Sequence, residues 1–198
     1  MDGEDAYTSL CRLTGHLFLR FAALETALSV MLRMHLSDNI GDTEKPDGLR
    51  LASAIYGGLR YSAARDHIKR IMEVESTGAV EKAFVSSAFQ HISHIQNLRD
   101  QLAHRHVNGA YTGGSGMWQL VDFATSKDIS KPQVHFFHIG SVFYAAEDLT
   151  TAMERLCSYN PGTGCLFPTG AFDTSPIPWR YKSSMLKLVP LDTLRSAQ

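Results

Sequence analysis

The stretch Asn97–His106 carries the side chains of this 198-residue chain that are best suited to chemistry. Arg99 is charged at any working pH, and its planar guanidinium can bind two phosphate oxygens at once. His104 and His106 can each give or take a proton near neutral pH, and Asp100 can orient a neighbouring imidazole. An arginine, a carboxylate and two histidines within about two helical turns are the minimum set of groups for cleaving a phosphodiester without a metal ion.

The spacing decides which of these side chains can act together. At about 100° per residue, Arg99 and His104 lie about 140° apart around a helix, whereas Arg99 and His106 lie within about 20°. Asp100 and His104 form an i,i+4 pair. His104 therefore joins Arg99 only if the helix end unwinds or a second subunit contributes. A structural interpretation is also open, in which Arg99 makes a buried salt bridge and the histidines cap a helix C-terminus.

Four helical patterns position this stretch, because apolar residues recur at helical spacing in four segments separated by loop-forming residues. These segments are about 6–36, 49–75, 79–106 and 141–159. Aromatic and β-branched residues between the last two predict a β-hairpin. The sequence therefore predicts a mainly α fold, a four-helix up-and-down bundle over residues 1–159, with a small β-hairpin insertion at about 117–139. Residues 160–198 are expected to form an irregular Pro/Gly-containing C-terminal extension.

Two charged residues interrupt the apolar patterns. Arg99 falls between Ile95 and Leu102 in the third segment, where a charge needs a partner or a function. Glu25 interrupts the first segment beside Leu24. It is expected either to pair with Arg99 and support it, or to lie exposed as an ordinary helix carboxylate.

The composition narrows the class of protein. A content of 44% hydrophobic and 20% charged residues is typical of a globular domain. A net charge of −1 argues against a general nucleic-acid coat protein but permits local contacts to a few phosphates. The sequence contains no run of about 18 apolar residues, so no membrane span is predicted. The acidic N-terminus does not resemble a signal peptide, and three cysteines fit a reducing cytoplasm.

The histidines do not form a recognisable metal site. His91 and His94 are three residues apart on a predicted helix, but no interleaved carboxylate or Cys-x-x-Cys pattern accompanies them. His135 and His138 would point to opposite faces of a strand. We therefore expect no metal ion and no cofactor.

The arrangement resembles the HEPN superfamily of small helical proteins over about residues 10–158. The resemblance rests on a long first helix with Leu24-Glu25, two further helices, an Arg-x4-His element (Arg99 to His104) at the third helix's end, and a closing helix. It implies that Arg99 and His104 from two subunits meet across a dimer axis, with Asp100 in the flanking polar position. His106 occupies the place of a tyrosine that some members carry as a modification target.

Two functions are open on this basis. The first is a metal-independent endoribonuclease, as in many HEPN proteins of toxin–antitoxin and defence systems, acting as a homodimer on RNA with an antitoxin or other protein partner. The second is a non-catalytic dimeric module that binds a protein or a nucleotide, in which Arg99 is structural. Both predict a cytoplasmic protein with no membrane partner.

Overall fold

The computed structural model describes residues 5–40, 54, 61–75, 78–110, 116–122, 133–158, 173, 175–185 and 187–189. Within them the chain is mainly helical with a small antiparallel sheet, which confirms the fold class at that level. The helices are α1 (Ala6–Ile40), α2 (Tyr61–Glu75), α3 (Ala79–His104) and α4 (Ile139–Cys157). The strands are β1 (His106–Ala110), β2 (Met117–Asp122), β3 (Gln133–His138) and β4 (Lys187–Val189), with a 3-10 turn at Ser183–Met185.

The helices follow the predicted periodicity closely. In α1, apolar residues at helical spacing are buried, and Leu17, Leu24 and Leu28 are fully inaccessible to solvent. The second predicted helix, 49–75, is described over Tyr61–Glu75 and at Ala54, and its remaining residues lie outside the described part of the chain. Hydrophobic spacing thus identifies the helices because each one buries a single apolar face.

The sheet confirms the predicted hairpin and extends it on both sides. Strands β2 and β3 pair antiparallel from Met117 opposite His138 to Asp122 opposite Gln133. β1 adds to β2, and β4 adds to β3, in the order β1-β2-β3-β4. The prediction of an irregular C-terminal extension is therefore wrong at β4. This three-residue strand depends on pairing with a strand about fifty residues earlier in the sequence, and the pattern of its own residues does not predict it.

The chain divides into two compact units, each with its own buried residues. Unit 1 comprises Met1–Arg20, Ile92–Asp148 and Trp179–Gln198, and unit 2 comprises Phe21–His91 and Leu149–Pro178. Unit 1 contains the whole sheet and the C-terminal half of α3. Its buried apolar side chains include Leu10, Leu17, Ile92, Ile95, Leu98, Leu102, Trp118, Leu120, Phe137, Val142 and Tyr181. Those of unit 2 include Phe21, Leu24, Leu28, Leu32, Ile68, Met72, Phe84, Val85, Phe89, Leu149 and Leu156.

The junction between β3 and α4 in unit 1 is closed by a histidine. The Nδ1 atom of His138 accepts a hydrogen bond of 3.0 Å from the backbone N–H of Gly140, which is otherwise without a partner in the first turn of a helix. The Ile139 N–H donates to the carbonyl of Gly116 at 2.9 Å. Gly116 has φ 66°, and a Cβ there would come within 3.0 Å of the His138 ring. His138 therefore caps the N-terminus of α4.

A buried carboxylate fixes the C-terminal segment of unit 1 to α4. Asp148 is 4% exposed and accepts hydrogen bonds from the backbone N–H groups of Arg180 at 3.0 Å and Tyr181 at 2.9 Å. Tyr181 is itself buried, and this burial raises its pKa to about 12. The extended segment around Tyr181 thus joins the core instead of lying loosely on the surface.

Among the described residues, one helix meets a length-and-composition test for crossing a membrane. The stretch Ala6–Arg33 of α1 includes an 18-residue window with a mean hydropathy of 1.3. The mostly buried core helix of a globular protein and a signal sequence near the N-terminus pass the same test. In this window 28% is buried, and α1 is fully buried at Leu17 and Leu24. The expectation that the chain has no membrane span therefore stays a prediction.

Candidate functional site at the end of helix α3

Arg99 lies on the buried side of α3 without being buried itself. Ile92, Ile95, Leu98 and Leu102 are between 0% and 8% exposed, and Arg99 occupies the same side of the helix. Its side chain keeps 33% of its surface accessible. The backbone of Arg99 is held on the core-facing side of α3, while its guanidinium reaches solvent. This arrangement gives a fixed position and an accessible positive charge, which an anion-binding residue requires.

Contacts with Asp100 and Phe18, both in unit 1, help to position the guanidinium of Arg99. Its Nη1 atom donates a hydrogen bond of 2.8 Å to Oδ1 of Asp100, and the two side chains form an ion pair. Its Cζ atom lies 5.6 Å from the centre of the Phe18 ring on α1, within the range of a cation–π interaction. Arg99 thus contacts a carboxylate, as its position in the apolar stripe predicts, and that carboxylate belongs to its neighbour in the sequence.

His104 is the last residue of α3 and is exposed. The helix closes there with a hydrogen bond of 3.1 Å from the Arg105 N–H to the Gln101 carbonyl, after which the chain bends into β1. An imidazole at a helix C-terminus also suits the helix dipole when it is protonated. His104 follows Arg99 by five positions on the same helix, so the two side chains leave α3 about 140° apart. One copy of α3 does not bring them together on the same face.

The prediction that the third helix continues to His106 is wrong. His106 is the first residue of β1 and pairs with Val121 of β2. The pairing of Val107 with Leu120 supplies strand contacts that a longer helix would lose. His106 is exposed at the start of the strand, so it does not share a helical face with Arg99.

The supporting carboxylates are arranged differently from what the spacing suggests. The i,i+4 relation predicts an Asp100–His104 contact, whereas the bond described for Asp100 is the one to Arg99. Glu25 is partly buried on α1 and belongs to unit 2, whereas Arg99 belongs to unit 1. The orienting role of Asp100 and the supporting role of Glu25 therefore stay predictions.

Metal ligation is not supported by the described residues. Among them, no group of three or more His, Cys, Asp or Glu side chains is arranged to hold a metal ion. His135 and His138 lie on opposite faces of β3, as their spacing predicts, and the Nδ1 atom of His138 is engaged by Gly140.

Phe18 and Asp148 are two residues whose roles the sequence reasoning missed. Phe18 lies off the buried stripe of α1, and nothing in its local sequence links it to Arg99, which is about eighty residues away. Asp148 could have been found, because it interrupts the apolar stripe of α4 beside Ala145 and Leu149 just as Arg99 interrupts that of α3. A charge at a core-facing position predicts a fixed partner in both cases.

No protein-family model, curated protein or solved structure matches this chain. The candidate site therefore rests on the geometry of α3 and of the unit 1 residues that contact it.

Proposed function

We propose that this protein is a metal-independent endoribonuclease of the HEPN type, acting in the cytoplasm as a homodimer. The observation that carries the proposal is the placement of Arg99 and His104 at one end of α3, with the first rooted in the core-facing stripe and both accessible to solvent. The two side chains supply the charge and the proton transfer that RNA cleavage requires.

The reaction follows from the chemistry of these two groups. His104 accepts the proton of a ribose 2′-hydroxyl, whose oxygen attacks the adjacent phosphorus. The P–O5′ bond breaks, and an imidazolium returns the proton to the leaving 5′-oxygen. Arg99 donates hydrogen bonds to the non-bridging oxygens and stabilises their growing charge. The products are a 2′,3′-cyclic phosphate and a free 5′-hydroxyl, with Asp100 as the proposed orienting group and His106 as the substitute base.

A second copy of the chain is part of the proposal. Because Arg99 and His104 leave one helix about 140° apart, a single copy makes a poor phosphate site. A twofold axis near the end of α3 would bring Arg99 of one chain towards His104 of the other, and twofold symmetry is the commonest in oligomers. The proposal includes an up-and-down bundle, which is supported by the three-residue connection between α2 and α3.

The alternative is a non-catalytic dimeric module that binds a protein, such as an antitoxin, or a nucleotide. The ion pair between Arg99 and Asp100 favours it, since a neutralised guanidinium attracts phosphate less strongly. The net charge of −1 also provides no general attraction for RNA. In this alternative Arg99 stabilises the packing of α3 against Phe18 and has no substrate.

Cleavage of a fluorescent single-stranded RNA in the presence of EDTA tests the proposal. We expect the wild type to cleave and to leave a 2′,3′-cyclic phosphate, which mass spectrometry identifies. Arg99→Ala and His104→Ala should each lower the rate by at least about a hundredfold. Activity that EDTA abolishes and zinc restores would contradict the mechanism, and loss with His106→Ala alone would reassign the base to His106.

A further inference from the structure

The carboxylate of Asp100 contacts the guanidinium group of Arg99, which is the group that binds phosphate in the proposed function. The Oδ1 atom of Asp100 lies 2.8 Å from Nη1 of Arg99, a distance typical of a charge-assisted hydrogen bond. Adjacent helical positions point about 100° apart, so the long arginine side chain reaches sideways to make this contact. We propose that Asp100 is an internal counter-ion of Arg99, which an incoming RNA phosphate must displace.

The exposure of the pair makes the displacement feasible. The side chains of Arg99 and Asp100 are 33% and 41% exposed, so water and salt screen their attraction. Ion pairs with this degree of exposure contribute little stability. The two non-bridging oxygens of a phosphodiester share one negative charge and can bind both arms of the guanidinium fork, whereas the Asp100 contact uses one oxygen. The phosphate is therefore the stronger ligand once RNA is bound nearby.

Phe18 keeps the guanidinium in place during the exchange. Its ring centre lies 5.6 Å from Cζ of Arg99 and belongs to α1, so this contact does not depend on Asp100. Removal of the carboxylate therefore leaves the cation held from the side of α1. The guanidinium stays in place while its anionic partner changes from Asp100 to phosphate. Because Asp100 competes for Arg99, the affinity for RNA is lower than Arg99 alone would give.

This inference rests on the proposed function, because it assumes that Arg99 binds a phosphate. It differs from an orienting role for Asp100, which acts through His104 and the chemical step. A probe that cannot be cleaved separates the two roles. An orienting carboxylate leaves the affinity for such a probe unchanged, whereas a competing carboxylate lowers it.

The experiment measures binding of a fluorescein-labelled, single-stranded 2′-O-methyl RNA by anisotropy at low salt. The 2′-O-methyl group removes the nucleophile, so binding alone is observed. The variant Asp100→Asn keeps the size of the side chain and removes its charge. We expect it to lower the Kd about fivefold, the upper range for a partly exposed ion pair.

A matched control and a double-mutant cycle isolate the effect. Arg65 and Asp66 on α2 form the same kind of adjacent ion pair, with 3.1 Å between Nη2 and Oδ1, in unit 2. Asp66→Asn removes an equal charge and should change the Kd by less than about twofold. In an Arg99→Gln background, Asp100→Asn should have no larger effect than Asp66→Asn, because the competing pair no longer exists.

The possible failures are distinguishable. If Arg99→Gln weakens binding but Asp100→Asn tightens it no more than Asp66→Asn does, the counter-ion inference is overturned and the proposed site stands. Equal tightening by Asp100→Asn with and without Arg99 would also overturn the inference, as a general charge effect. If Arg99→Gln binds and cleaves RNA like the wild type, the proposed function fails and the inference fails with it.

Discussion

Replacement of Asp148 by alanine should detach the C-terminal segment of unit 1 from α4. The carboxylate is 4% exposed and accepts hydrogen bonds from the Arg180 and Tyr181 N–H groups at 3.0 Å and 2.9 Å. Alanine offers no acceptor and opens space behind these donors. Two backbone groups then stay unsatisfied or the segment moves into water, and both outcomes reduce the stability of the fold.

The size of the loss follows from the number and kind of bonds. A hydrogen bond to a charged group contributes about 1.5–3 kcal/mol net, so two of them give an upper range of about 3–6 kcal/mol. Release of the segment limits the loss, because an undocked N–H bonds to water. We therefore expect Asp148→Ala to lower the free energy of unfolding by about 3 kcal/mol. Asp148→Asn keeps one oxygen acceptor and should lose roughly half as much.

Urea denaturation at neutral pH measures the loss, and hydrogen exchange of the Arg180 and Tyr181 amides locates it. Glu154→Ala on the same helix is the control, since Glu154 is exposed and should stay within about 0.5 kcal/mol of the wild type. If Asp148→Ala matches Glu154→Ala in stability and both amides stay protected, the docking account is refuted.

Three further predictions concern unit 1 and the assembly. Burial raises the pKa of Tyr181 in the folded protein to about 12, whereas the unfolded tyrosine ionises at about 10. The unfolded state is therefore favoured as the pH rises from about 10 to 12, and the free energy of unfolding should fall by roughly 2–3 kcal/mol. Tyr181→Phe should remove that alkaline loss in urea titrations, and an unchanged loss would contradict it. His138→Ala should lower the free energy of unfolding by about 1 kcal/mol by uncapping α4, whereas no change in the urea midpoint would show that the cap is dispensable. Light scattering at micromolar concentration should give twice the chain mass of 21.9 kDa, and a strictly monomeric mass would contradict the dimer.

Local patterns predict the helices well because the burial of one apolar face fixes their period. α1, α3 and α4 begin and end within a few residues of the predicted positions. The same patterns fail where burial depends on distant parts of the chain. Val80 and Phe143 are apolar residues within the third and fourth predicted helical segments, but they are 63% and 42% exposed. Periodicity gives the direction of a side chain and does not tell whether another element covers it.

The strands and the end of α3 show a second limit. β1 and β4 are short edge strands whose hydrogen bonds come from β2 and β3, so their own sequences carry little signal. For this reason His106 was expected on a helix and lies on a strand. The hairpin of β2 and β3 was predictable because both of its strands carry aromatic and β-branched residues that flank one connection.

The candidate site was predictable in position but not in its contacts. A charge inside the apolar stripe of α3 correctly indicated that Arg99 has a carboxylate partner. The sequence suggests Glu25 as a partner of Arg99, and the i,i+4 spacing pairs Asp100 with His104. It does not suggest a pair between Arg99 and Asp100, because residues at adjacent positions do not face each other in an ideal helix. The contact of Arg99 with Asp100 and Phe18 depends on side-chain reach and on the packing of α1, which sequence spacing does not contain.

Subunit complementation tests the central claim most directly, namely that Arg99 of one chain and His104 of another cleave RNA together. Arg99→Ala and His104→Ala proteins are each assayed alone and then after mixing and subunit exchange, with EDTA present throughout. Random exchange makes half of the dimers mixed, and each mixed dimer keeps one intact pair of two, so about a quarter of the wild-type activity should return. A mixture that exchanges subunits, as mass spectrometry of an isotopically labelled partner would show, and yet stays as inactive as the separate variants would contradict the claim.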